Sequence, residues 1–318
     1  MGKLFYRLPG QEVVILEGEF IELELDKREA FKGFVTTTAD GERWFGFSEG
    51  KVVDAFYQMQ KPFIVTKEMY LNQAQYFIEN IKSWEVGKAV LSRVKEVNNG
   101  PIHITSLFHA LQKQYPNAFT YAFQSNLLGS WIAATPEVLV KQQGDNVSTM
   151  SLAGTRKVGD EVPWHEKEFQ EQGLVTAYVA AVLKEVGAVS TVSPREELIA
   201  GPVKHLINRF DCKVDRTNVF ELIDLLHPTP AVSGLPIDKA QELIARVEPH
   251  QRLLYSGIVG VLSKEELSLY VNLRCGQIID ENLYLYLGGG LTKDSSPEDE
   301  WMETENKAQT LLNVFQNI

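Results

Sequence analysis

Two short segments of this 318-residue chain place carboxylates at a spacing that could hold a metal ion. In SPEDEWMETENKA, Glu300 and Glu303 stand three residues apart, and Lys307 follows one turn later. In KEFQEQGLVT, Glu168 and Glu171 repeat that spacing. Residues three apart share a helix face, so each segment, if helical, presents a carboxylate pair on one side. Two such pairs meeting would make a hard, oxygen-only site. Mg²⁺ favours such a site, taking one or two direct carboxylates, several waters and often an oxygen of the substrate. The competing reading is a solvated acidic face. Glu298 and Asp299 already have an ordinary use in the first helical turn, where negative charge complements the helix dipole. Directly before the acidic segment stand Gly288, Gly289 and Gly290. Glycine lets backbone N–H groups approach an anion closely, but GGG is neither GxGxxG nor a P-loop and gives no nucleotide signature. A plain tight turn is the alternative.

The elements that must position these groups are written in the apolar periodicity. Ser296 as N-cap and Pro297 at the first helical position begin the acidic helix. Trp301, Ala308, Leu311, Leu312 and Phe315 give it an apolar stripe beside the Glu300/Glu303 face. Leu174, Val175, Tyr178, Val179, Val182 and Leu183 predict a long helix over 164–186, stopped by Gly187. Tyr70, Ala74, Phe77, Ile78 and Ile81 predict a helix over 67–83, and another over 103–115 ends at Pro116. KAVLSRVKEV (88–97), FTYAFQS and GSWIAATPEVLVKQQ read as strands, and residues 12–60 as short strands and turns. Within 256–290, GIVGVLS, LSLYVNLRC and NLYLYL read as strands joined by KEE and IIDE. Links this short force antiparallel neighbours, because a parallel pair needs a crossover of about a dozen residues. With no repeat and no Pro/Gly/Ser linker, the expectation is a single α+β domain over 1–318, with antiparallel sheets flanked by helices.

Composition narrows the function. The chain is 44% hydrophobic and 23% charged, and long enough to bury a large core. A net charge of −11 does not attract nucleic acid or anionic lipid, so neither is an expected partner. An anionic ligand would need a local cluster of cations. Two cysteines without a CxxC fit a reducing compartment. No secretory signal is visible at the start, and no apolar run reaches the roughly 18 residues of a membrane span. A cytoplasmic protein is expected.

Taken in order, nine segments resemble the chorismate-utilising enzymes: isochorismate synthase, salicylate synthase, and the large subunits of anthranilate and aminodeoxychorismate synthase. They are KAVLSR (88–93), TPEVLV (135–140), SLAGTR (151–156), KEFQEQGLVT (167–176), KHL (204–206), LLHPTPAVSGLP (225–236), YSGIVGV (255–261), NLRCGQ (272–277) and GGGLTKDSSPEDEWMETENKAQTLL (288–312). The resemblance covers a catalytic core of residues 85–318, and residues 1–84 look like a shortened N-terminal part. It implies that Glu171 and Glu303 bind a Mg²⁺ ion that holds the ring carboxylate of chorismate. Glu168 and Glu300 fall where outer, water-mediated contacts to the metal are expected. Arg274, with the backbone at Gly288 and Gly290, would bind the substrate carboxylates. Lys307, Gly154, Thr155, Tyr255 and His227 complete the implied substrate contacts. Arg274 would share a polar strand face with Tyr270 and Asn272.

The member of the family is read from the nucleophile. The resemblance makes Lys88 the base that activates water, where ammonia-using anthranilate synthases usually carry Gln. It makes Glu137 the general acid, whose pKa must be raised to work near neutrality. Ala153 stands where aminodeoxychorismate synthases commonly place a nucleophilic Lys, which disfavours that covalent route. The resemblance is therefore closest to isochorismate synthase, with Mg²⁺ as cofactor and menaquinone biosynthesis as the expected setting. Salicylate synthase and a siderophore-pathway isochorismate synthase are the alternatives; an ammonia-using synthase and an inactive scaffold are further removed. A monomer is expected, with a dimer as the alternative. Three positions depart from the family pattern: Ser151 for Pro, Gln172 for the His after the metal Glu, and Asn208 for Thr or Ser.

Overall fold

A computed structural model describes residues 2–53, 59–98, 100–215 and 218–317. In chain order the strands are β1 (Gly2–Arg7), β2 (Val14–Leu23), β3 (Gly33–Thr37), β4 (Trp44–Glu49), β5 (Lys88–Asn98), β6 (Phe119–Ser125), β7 (Gly129–Thr135), β8 (Val138–Gln143), β9 (Asn146–Lys157), β10 (Ser190–Val192), β11 (Glu196–Ala200), β12 (Val203–Lys213), β13 (Gly234–Leu235), β14 (Ile258–Leu262), β15 (Glu266–Val271), β16 (Cys275–Ile279) and β17 (Asn282–Leu291). The helices are α1 (Lys67–Ser83), α2 (Ile104–Gln114), α3 (Glu166–Glu185), α4 (Val219–Leu226), α5 (Ile237–Val247) and α6 (Pro297–Phe315).

The strands form one antiparallel ribbon. One half runs β13–β5–β17–β16–β7–β6–β1. Strand β2 links it to the other half, β4–β3–β14–β15–β8–β9–β12, with β10 and β11 both on the far edge of β12. The ribbon folds over an aromatic core to which both halves contribute. Phe119 of β6 stacks on Tyr270 of β15 with ring centroids 4.7 Å apart, and Phe34 of β3 meets Tyr121 of β6 edge-on at 5.5 Å. Helices cover the outer faces. α2 and α6 bury Leu107, Phe108, Leu311 and Phe315 against one half. α1 and α5 pack Tyr70, Phe77 and Leu243 over β5 and β17. α3 and α4 pack Val179, Leu183, Leu222 and Ile223 against the other. This is the α+β, antiparallel architecture that the periodicity predicts; the bounds of α1, α2 and α3 agree to within two or three residues and α6 starts at Pro297 as expected, while α4 and α5 are not anticipated. Among the described residues, no helix is long and apolar enough to cross a membrane.

Three local expectations are corrected. The GSWIAATPEVLVKQQ strand breaks between Thr135 and Val138, where Pro136 has no N–H to give to a ladder. The LSLYVNLRC strand breaks after Val271, and Arg274 sits in the left-handed region at φ 49. It therefore does not share a strand face with Tyr270, and the residues that follow form a strand of their own, β16. The two breaks lie side by side: Thr135 Oγ1 donates to Val271 O at 2.5 Å, and Val271 N to Glu137 O at 3.0 Å. There the chain crosses twice between the halves, since β7 pairs with β16 in one and β8 with β15 in the other. The third correction concerns Gly288–Gly290. They form no turn but lie inside β17, opposite Ser92, Leu91 and Val90 of β5.

Candidate active site

The two crossings, the start of β5, the glycine end of β17 and the helices α3 and α6 surround one cleft. Lys88 opens β5 and is pinned on one side by β13, where Leu235 is its register partner. Glu137 and Arg274 stand at the two strand breaks, the points where side chains leave the sheet ladder and turn inward. α3 brings Glu171 and α6 brings Glu303 and Lys307, and all of these line the cleft together with Gly154, Thr155, Tyr255, Gly288 and Gly290.

The charges are arranged in pairs. Lys88 Nζ lies 2.7 Å from Glu171 Oε1, with both side chains almost wholly buried. Lys307 Nζ lies 2.6 Å from Glu303 Oε1 and donates to Gly288 O at 2.8 Å. Arg274 donates through Nη1 to Thr310 Oγ1 at 3.1 Å, and its Nη2 lies 3.1 Å from His205 Nε2. His205 Nδ1 is 2.7 Å from Gly154 O, so the neutral tautomer that donates from Nδ1 and accepts at Nε2 satisfies both contacts. Burial and the neighbouring charges of Arg274 and Lys307 hold His205 well below its ordinary pKa, consistent with that neutral form. Burial brings Arg274 down to about 10, still cationic near neutrality.

Glu137 differs from the other carboxylates. It is 4% exposed, and burial pushes its carboxyl up to about 7 against the lowering pull of Lys88, Lys307 and Arg274. A group that titrates there can give or take a proton near neutral pH.

The glycines have a steric reason. A Cβ on Gly288 would lie 2.5 Å from the Tyr255 hydroxyl oxygen. A Cβ on Gly290 would collide with Lys88 Cε and stand 3.1 Å from Glu171 Oε1. Gly290→Ala is therefore expected to displace the Lys88 side chain. It should lower kcat by about tenfold or more while shifting the melting temperature little. A kcat within twofold of wild type would show that this close approach is dispensable.

Three of the residues named from the sequence, among them the two expected only as outer contacts, do not themselves line the cleft. Glu168 is held by Arg156 Nη2 at 2.8 Å and accepts from His165 N at 2.8 Å as part of a capping box at the start of α3. Although burial pushes it up, these hydrogen bonds keep its pKa below the usual value. Glu300 is buried under the glycine strand and accepts from Ser295 Oγ at 2.7 Å. His227 packs against the β3–β4 connection, with Nε2 3.2 Å from Ala39 O, and burial pushes its pKa down to about 4. His205 does line the cleft, although no role attached to it in the sequence. The available signal was a polar residue between apolar Val203 and Ile207 on one face of a strand.

The residues present suit a magnesium ion. Besides Glu137, the carboxylates that reach the cleft are Glu171 and Glu303, a hard oxygen pair; no cysteine lines the cleft, and both nitrogens of His205 are taken by Gly154 O and Arg274. Among the described residues, no group of three or more His, Cys, Asp or Glu is assembled as a metal cluster. A metal here would thus lean on two carboxylates and on oxygens from water or substrate. That coordination is ordinary for Mg²⁺ and poor for Zn²⁺.

An antiparallel ribbon folded on itself, with a cleft of cations and paired carboxylates at its crossing, defines the class: the chain belongs to the chorismate binding enzyme family, which matches residues 24–316. The isochorismate synthase EntC of Escherichia coli is 34% identical over 245 residues, which are 73% of this chain and 63% of EntC. The chain thus spans somewhat less than two thirds of that relative's length. The crystal structure of DhbC from Bacillus anthracis superimposes with a TM-score of 0.83 at 26% identity, covering 98% of this chain and 95% of that one. MenF, the menaquinone-specific isochorismate synthase of Escherichia coli, gives a TM-score of 0.84 at 21% identity, over 99% of this chain and 89% of that one. At that identity it speaks for the fold.

Proposed function

We propose that the protein is an isochorismate synthase, converting chorismate reversibly to isochorismate by adding water at C2 and losing the C4 hydroxyl. The observation that carries this reading is the pair Lys88 and Glu137: two buried ionisable side chains, one at the start of β5 and one at the break between β7 and β8, in the wall of one cleft. Lys88, released from Glu171 and having given its proton to solvent, takes the proton of the attacking water as the neutral amine. Glu137 gives its proton to the departing hydroxyl. Arg274 and Lys307 bind the substrate carboxylates, and His205, locked in its neutral form, keeps the Arg274 guanidinium in place. Glu171 and Glu303 would hold Mg²⁺, which when bound supplies positive charge to the ring carboxylate. With Lys88 and Lys307 it offsets the acidic character of the chain.

The test is to incubate the purified protein with chorismate, with and without Mg²⁺, and to separate the products. A Mg²⁺-dependent mixture of chorismate and isochorismate without pyruvate is expected. Salicylate with pyruvate would move the assignment to salicylate synthase, and no turnover would overturn it. Glu303→Gln is expected to raise the Mg²⁺ concentration for half-maximal rate by about tenfold or more; an unchanged titration would remove Glu303 from the metal site. We further infer one cytoplasmic, monomeric domain serving menaquinone biosynthesis. Deletion should abolish menaquinone, whereas a growth defect confined to iron limitation would assign the siderophore route.

A further inference from the structure

The three positions that depart from the family pattern lie far apart in the chain and meet in one buried network. Ser151 of β9 and Asn208 of β12 are register partners in the strand ladder. Gln172 of α3 reaches over both. Its Nε2 donates to Ser151 Oγ at 3.1 Å and to Asn208 Oδ1 at 2.8 Å, and its Oε1 accepts from Arg195 Nε at 3.1 Å. Both amide hydrogens and one lone pair are used, in a side chain with 0% exposure. Thr176, one turn along α3, shares a 2.8 Å hydrogen bond with Ser151 Oγ and lies 3.2 Å from Asn208 Oδ1. Asn208 Nδ2 donates onward to Ser193 O at 2.7 Å. Each substitution supplies a donor or acceptor that the others need. Ser151 brings a hydroxyl where a proline would bring none, and Asn208 brings both an acceptor for Gln172 and a donor for Ser193.

Gln172 immediately follows Glu171. With its amide fixed on two paired strands, α3 cannot roll or slide on β9, and Glu171 stays aimed at the cleft, 2.7 Å from Lys88. We propose that Ser151, Gln172 and Asn208 form one coupled positioning unit that orients Glu171 for metal binding, in place of the arrangement usual at these positions. The proposal rests on the reading of Glu171 as a metal ligand.

Direct binding of Mn²⁺, followed by electron paramagnetic resonance on the intact protein, tests it, with thermal melting as the control for folding. Gln172→Met keeps the volume and removes the hydrogen bonds; it is expected to weaken Mn²⁺ binding by about 10–100-fold, the range usual when a partner that orients a ligand is lost. Gln172→His alone should weaken binding similarly. The triple variant Ser151→Pro, Gln172→His, Asn208→Thr should return to within about threefold of wild type, because changing coupled partners together leaves fewer buried groups unpaired than changing one. Should Gln172→Met fail to fold, Thr176→Val removes a single hydroxyl from the network and is expected to weaken binding about threefold. Wild-type affinity in both Gln172 variants, or a triple variant no better than Gln172→His, would overturn the proposal. Wild-type protein that binds no Mn²⁺ would overturn the metal reading and this inference with it.

Discussion

Glu137→Gln is expected to lower kcat by about 10²–10⁴-fold, the usual contribution of a positioned general acid or base, while making the protein more stable above neutral pH. The two effects have one cause. Burial raises the Glu137 carboxyl from 4.5 to about 7. A carboxyl whose pKa is higher folded than unfolded binds more protons in the folded state, so its contribution to stability is full below about 4.5. It is lost as pH rises from there through about 7. At pH 8 the folded wild type carries an ionised carboxylate in a buried wall, at a cost of up to about 3 kcal/mol. Glutamine keeps the shape and removes that cost. Melting temperatures should therefore be higher in the variant at pH 8 and should converge with wild type near pH 5. A variant less stable than wild type at pH 8 would show that Glu137 is not held against ionisation.

The rate profile follows from the same group. In both directions of a hydroxyl exchange, Lys88 and Glu137 must hold one proton between them, whichever of the two carries it. Protonating Glu137 while Lys88 remains paired with Glu171 leaves neither group able to accept a proton. At saturating Mg²⁺, kcat/KM is expected to fall about tenfold per pH unit below about 7. A flat profile between pH 5.5 and 7 would dissociate Glu137 from the proton transfer.

Lys88→Met is expected to lower kcat by a similar factor, about 10²–10⁴-fold, with the fold and chorismate binding retained. Methionine approximates the lysine stem in the same buried space but neither accepts a proton nor pairs with Glu171. Its second effect separates the base from a merely structural lysine. In wild type the ammonium of Lys88 sits on the carboxylate that a metal would use. Removing it removes a competitor, so Mg²⁺ should bind at least as tightly as before. Calorimetry would read this directly. A variant with near-normal kcat would end the assignment of Lys88 as base, and one that loses both turnover and Mg²⁺ binding would recast Lys88 as a strut for the cleft.

What the sequence by itself determined was local and periodic. Apolar residues three and four apart marked α1, α3 and α6. The short connections required antiparallel neighbours. The spacing of Glu168 with Glu171 and of Glu300 with Glu303 was enough to suggest carboxylates on helix faces. The order of the nine segments named the family and, through Lys88, pointed to water as the nucleophile. The tertiary structure decided which of these groups have a partner and which have the cleft. Glu168 and Glu171 have the same spacing and chemistry as Glu300 and Glu303. Yet Arg156 takes the first of one pair and the packing beneath Gly289 takes the first of the other. No local pattern encodes that choice, because it depends on strands and helices brought together from distant parts of the chain. The same holds for Glu137 and Arg274, which read as strand residues until the halves of the ribbon cross beside them. It holds for Gly288 and Gly290, whose need for glycine comes from the close approach of Tyr255 and Lys88. It holds also for Ser151, Gln172 and Asn208, isolated oddities in the sequence that become one unit where β9, β12 and α3 bury them together. Periodicity is fixed by the backbone geometry of a single element, whereas hydrogen-bond partners and buried charge are fixed by what the completed fold leaves without water.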